Sequence, residues 1–129
     1  MTPGTETHLS RRERQIMDIV YTNGQASVAE VCQAITDPPS YSAIRALMRI
    51  LEDKGHLNHK VEGNKYVYLP TRSRKEASKT ATRRLLKTFF DGSMEQALAA
   101  LLEVSQSRHT QEELDRLTSL ISKARKEGR

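Results

Sequence analysis

Over the first 55 residues apolar positions recur at helical spacing in three short runs, and the polar positions between them carry the punctuation of helix ends. A first helix is expected from about Ser10 to Thr22, with Ile16, Ile19 and Val20 on one face and Asn23-Gly24 after its end. A second runs from Ser27 to about Thr36 and buries Val28, Val31, Cys32 and Ile35. Asp37-Pro38-Pro39 stops it, because proline lacks an amide hydrogen and restricts the residue before it. In the third helix, capped by Ser40, Ile44, Leu47, Met48 and Leu51 fall at i, i+3, i+4 and i+7, which makes one apolar stripe. Ser42, Arg45, Ala46 and Arg49 then point the other way, and Lys54-Gly55 closes the helix.

The period then shortens. Leu57 to Val61 and Lys65 to Leu69 read as strands around the turn residues Glu62-Gly63-Asn64, and Pro70 ends the hairpin. Three helices followed by a hairpin form the winged variant of helix-turn-helix, whose third helix enters the major groove of DNA. Four Ser/Thr-x-x-Glu/Gln capping boxes mark helix starts at Ser10, Ser27, Ser93 and Thr110.

From Thr71 onward the pattern is helical throughout. A fourth helix, Arg74 to Phe90, carries Ala77, Ala81, Leu85 and Phe89 on one side with Leu86 and Phe90 nearby, and Asp91-Gly92 breaks it. A fifth, Ser93 to Val104, is apolar at Met94, Ala97, Leu98, Leu101 and Leu102. The sixth, Thr110 to about Lys126, is apolar at Leu114, Leu117, Leu120 and Ile121. Three short helices cannot bury these stripes among themselves, so a second copy of the chain is the expected cover. The expected fold is mainly α with a small β-wing: a winged-helix DNA-binding domain over 1–70 and a helical dimerisation region over 71–129.

Composition narrows the function classes. The 129 residues hold 36% hydrophobic and 5% aromatic residues with no Trp, which favours a small core plus a dimer seam over one large core. The longest apolar run, Ala97 to Leu102, is too short to cross a bilayer, and the first residues lack a charged-then-apolar leader pattern, so no direct membrane insertion and a cytoplasmic location are expected. The single Cys32 permits no internal disulfide and reads as a small core hydrophobe. His56 and His59, three apart on an extended strand, face opposite sides and cannot share a metal. With no nucleophile elbow, phosphate loop or paired carboxylates, neither an enzyme nor a cofactor is expected.

Net charge is +5, which suits an acidic partner, but residues 1 to 70 carry 8 Lys+Arg against 8 Asp+Glu. The excess sits in the run Arg72 to Lys87. Operator DNA contacts are therefore assigned by position rather than by bulk charge: Arg45 and Arg49 to bases or phosphates, Tyr41 and Ser42 at the helix start, Lys60, Asn64 and Lys65 on the wing, and Arg72 and Arg74 beside it. Dimerisation falls to Leu85, Leu86, Phe89, Phe90, Leu98, Leu101, Leu102, Leu114, Leu117 and Ile121. The neutral balance of the first 70 residues leaves a rival, a winged-helix adaptor that docks a protein.

Ile44-Arg45-x-Leu47, Lys54-Gly55, His59-Lys60 and an aromatic-rich second wing strand resemble the penicillinase-repressor (BlaI/MecI) family, from about Leu9 onward. That resemblance implies a homodimeric transcriptional repressor on a two-fold symmetric operator, serving an antibiotic response. It also implies a membrane-bound sensor metalloprotease as partner, with release by cleavage at an Asn-Phe bond in the dimerisation region. This chain has no Asn-Phe dipeptide, and the matching place lies near Ala99-Ala100.

Overall fold

The computed structural model describes residues 8–105 and 109–128. The first residues, on which the expectation of no leader pattern rests, lie outside that range. Elements follow in the order α1 (Arg11–Asn23), β1 (Ala26–Ser27), α2 (Val28–Ala34), α3 (Tyr41–Asp53), β2 (Leu57–Glu62), β3 (Lys65–Pro70), α4 (Arg74–Phe90), α5 (Met94–Val104) and α6 (Gln111–Lys126). The chain is mainly helical with a small antiparallel sheet, as the periodicities predict.

Three details differ from the sequence expectation. First, the sheet has three strands, not two: Ala26 and Ser27 pair with Tyr68 and Val67, giving the order β1-β3-β2. A strand of two residues has no period to detect, and Ser27 also serves as the N-cap of α2. Second, α2 ends at Ala34 because Ile35 turns extended at φ −77, ψ 136 and drops into the core, and Asp37 takes φ 52 ahead of Pro38. Third, Glu62 pairs with Lys65, so the wing turn is Gly63-Asn64 alone. Positive φ falls on Gly63 (φ 65) and not on Asn64, the sign pattern of a II′ hairpin turn.

The core of the first unit is built from the stripes that the sequence marks. Ile16, Val20, Val31, Ile44, Met48, Leu51 and Leu57 are wholly buried, while Ile19, Cys32 and Leu47 pack half-buried at its edge. Burying each large aliphatic side chain contributes about 1.5–3 kcal/mol. Met17, also buried, completes the inner face of α1.

Polar ties then fix the angle of α3. The Arg12 guanidinium donates to the Asp37 carbonyl at 2.9 Å, holding the α2–α3 turn against α1. Glu13, only 4% exposed, accepts from the Ser10 amide at 2.8 Å as half of a capping box, and from Lys54 Nζ at 2.8 Å. Burial pushes the Glu13 carboxyl up, but the hydrogen bonds from Lys54 and Ser10 and the Lys54 charge outweigh it, so the net displacement is downward. Glu13→Ala removes the return half of the capping box and the ion pair together and is expected to cost about 2 kcal/mol in urea unfolding at neutral pH. Because the folded value lies below the ordinary 4.5, the ionised-state part of this contribution is full above 4.5 and lost as pH falls through the folded value. The gap between variant and wild type should accordingly narrow in acid.

The chain divides into two compact units between Thr82 and Arg83, inside α4. The second unit has almost no interior of its own. Among the described residues α5 buries only Ala97, and α4 and α6 bury none. Ser93 and Thr110 cap α5 and α6 by accepting from the Gln96 and Glu113 amides at 3.1 and 3.0 Å. The return bond of a full capping box forms only at Ser10 and Ser27 among the described residues; the Glu113 carboxylate lies instead 3.3 Å from His109 Nδ1.

Candidate nucleic-acid interface

The outer face of α3 is what the apolar stripe leaves over. Ser40 caps the helix by accepting from the Ala43 amide at 3.1 Å. The first turn that follows holds no carboxylate, although α1, α2, α4, α5 and α6 each carry at least one there. The positive end of the α3 dipole is thus left for an outside anion. Tyr41, Ser42, Arg45, Ala46 and Arg49 are all exposed. Neither guanidinium is drawn into a hydrogen bond or ion pair with another described residue. Two uncompensated cations one helical turn apart on an exposed face are arranged to meet phosphates or the acceptor edges of guanine.

The wing presents a different balance. Lys60 Nζ lies 3.0 Å from the Glu62 carboxylate, with both side chains about half exposed. Lys65 sits opposite Glu62 in the register, and its charge also acts on Glu30 of α2. Lys60 and Lys65 therefore share one face of the hairpin with a carboxylate between them. Asn64 occupies the exposed turn. Arg72, two residues before α4, reaches over its first turns, donating to the Thr80 hydroxyl at 2.9 Å and lying 4.0 Å from Glu76, and its side chain is only 19% exposed. Arg74, the first residue of α4, stays exposed.

On the opposite wing face the structure assembles a cluster that the sequence reading missed. His59 Nδ1 lies 2.7 and 2.8 Å from the two Glu52 oxygens, joining the end of α3 to β2. The His59 ring stacks on Tyr66 with centroids 4.2 Å apart and planes 16° from parallel, and Tyr68 lies 5.7 Å away. Burial is the main force raising the Tyr68 hydroxyl; the Glu52 charge adds to it, while Arg45 and Arg49 partly oppose it. Those two guanidiniums thus stand within electrostatic reach of this wing face. The signal was present but depended on register: a three-residue turn would set Val61 opposite Lys65, whereas the two-residue turn sets His59 opposite Tyr68 and Val61 opposite Tyr66.

His56 and His59 do not share surroundings. His56 is buried just before β2 begins, and its Nε2 makes no hydrogen bond among the described residues. Burial, with the Lys54 and Arg72 charges beside it, holds its imidazole below the ordinary value despite Glu13, so this ring stays neutral at pH 7.

Three helices closed by a three-stranded sheet, with a basic third helix beside a hairpin, define a winged helix-turn-helix protein. The model of the penicillinase repressor family matches residues 9–123, and the chain belongs to that family. Over 100 residues it is 24% identical to the penicillinase repressor of Bacillus licheniformis, an alignment covering 76% of this chain and 78% of that one. Membership makes it a transcriptional regulator of the repressor kind. Among the described residues, no helix is long and apolar enough to cross a membrane.

Proposed function

We propose that this chain is a homodimeric, sequence-specific repressor in which each copy lays α3 into one half of a two-fold symmetric operator. The observation that carries the DNA-binding half is the exposed, uncompensated pair Arg45 and Arg49 on a helix whose first turn lacks a carboxylate. Tyr41 and Ser42 stand at that same end. Lys60, Asn64, Lys65 and Arg74 supply further contacts, that of Lys60 weakened by its ion pair with Glu62. Arg72 contributes least, since Glu76 and Thr80 already engage it.

The pairing half rests on exposed apolar surface. Phe89 is 73% exposed, Met94 78%, Leu120 64% and Leu101 55%. Leu85, Leu102, Leu114 and Ile121 are exposed as well, with Leu86, Phe90, Leu98 and Leu117 half-buried. So much apolar area on three short helices fits a seam against a second copy. Release from the operator is either by cleavage in this region by a membrane-bound sensor metalloprotease whose preference is not Asn-Phe, or by a route without that cut, since the chain has no Asn-Phe bond.

The test is a titration of the full chain into a labelled duplex from upstream of its own gene, at rising salt and with competitor DNA. Binding should exceed that to unrelated sequence by about a thousandfold or more, and log affinity should fall linearly with log salt. No binding at low salt, or equal affinity for both duplexes, would favour the adaptor reading.

A further inference from the structure

We propose that Tyr66 is a further DNA-contact residue, its exposed ring lying against the sugar-phosphate backbone, and that Glu52 and His59 are positioning residues that hold it there. This rests on the DNA-binding reading above and names a contact within it.

The hairpin register gives the face its composition. Leu57, His59, Val61, Tyr66 and Tyr68 lie on one side of the wing, because cross-strand partners share a face. Exposure rises outward along that side, from 0% at Leu57 and 4% at Tyr68 to 50% at Tyr66 and 62% at Val61. The inner end packs on the core, and the outer end leaves an aromatic ring and a valine in water. Folding of this unit does not cover them.

Tyr66 is held before any partner arrives. One face of its ring is taken by His59 at 4.2 Å, and both Glu52 oxygens hold His59 from the end of α3. A ring fixed in advance loses little rotamer freedom on binding, so more of its contact energy reaches the complex. The occupant is set by the charge on the helix that anchors the ring: Arg45 and Arg49 lie exposed on α3, the helix whose Glu52 holds His59. Arg45 and Arg49 stand within electrostatic reach of Tyr68, the next ring inward on the same face. A polyanion with apolar sugar edges matches both features, since guanidiniums meet phosphate while the phenol ring covers deoxyribose. An apolar protein surface would strand two cations at its margin.

The experiment is operator binding by fluorescence anisotropy with the full chain, across a salt series. Tyr66→Ala should weaken binding about tenfold, the loss expected of one well-placed aromatic contact. Its salt slope should match wild type, because no ionic contact is removed. Tyr66→Phe keeps the ring and should bind within about twofold of wild type. His59→Ala should cause part of the Tyr66→Ala loss and add nothing in the Tyr66→Ala background, since it acts through that ring. Additive losses would overturn the positioning role. Wild-type affinity in Tyr66→Ala, while Arg45→Ala loses binding, would overturn the contact and leave the DNA-binding reading intact. Wild-type chain that binds no duplex would remove both.

Discussion

Replacing Arg45 and Arg49 together by alanine is expected to lower affinity for the operator by about a hundredfold or more, since each guanidinium that pairs with a guanine edge contributes about 1–3 kcal/mol of discrimination. The structure makes this a clean substitution. Both side chains point away from the stripe of Ile44, Met48 and Leu51 that anchors α3, and neither is held by another described residue, so the fold should persist. Affinity for unrelated duplex should fall less, because the wing and α4 cations remain. The ratio of specific to nonspecific binding is the decisive quantity. A ratio unchanged in the double variant would show that α3 does not read the sequence.

A charge in the second unit should have an effect of comparable size by a different route. Phe89→Glu or Leu101→Glu puts a carboxylate on a side chain that is 73% or 55% exposed in one chain, so the isolated unit loses little of its own packing. In a seam between two copies the same carboxylate would be buried without a partner, which is strongly destabilising. The variants should run as monomers in light scattering, with helical content retained. Operator affinity should fall by about 10²–10⁴, the factor gained when one bound half-site makes the second binding event intramolecular. Arg45 and Arg49 would be intact, so weak binding to DNA should survive. Monomers that still bound the operator as tightly as wild type would detach pairing from function.

The helices were readable because each buries one stripe against the core or leaves it open for a neighbour, and a stripe has a period. Ile44, Leu47, Met48 and Leu51 thereby define the outward face of α3 by subtraction. Hydroxyl caps at Ser10, Ser27, Ser40, Ser93 and Thr110 fixed the starts, and each one accepts from the amide three residues on. What escaped depends on contacts that sequence distance hides. Ala26-Ser27 becomes a strand only because β3 lies beside it. The His59–Tyr66 stack exists only in the register set by a two-residue turn, and Gly63 alone takes the positive φ that such a turn needs. Lys60 looks as available in the sequence as Lys65 because a charge is counted the same whether or not Glu62 stands 3.0 Å away. Bulk neutrality of the first 70 residues hides the same distinction: it averages the exposed cations of α3 with pairs, such as Glu13 and Lys54, that already satisfy each other.

The central claim is that one copy of this chain supplies half of a reader and that the second unit supplies the other half by pairing. It is tested most directly by measuring affinity for two duplexes of equal length, one carrying both half-sites of the operator and one carrying a single half-site, with wild type and Leu101→Glu side by side. Wild type should bind the two-site duplex about a hundredfold or more tightly than the one-site duplex, and Leu101→Glu should bind both with similar, weak affinity. Equal affinity of wild type for the two duplexes, or a preference for both half-sites retained in Leu101→Glu, would contradict it.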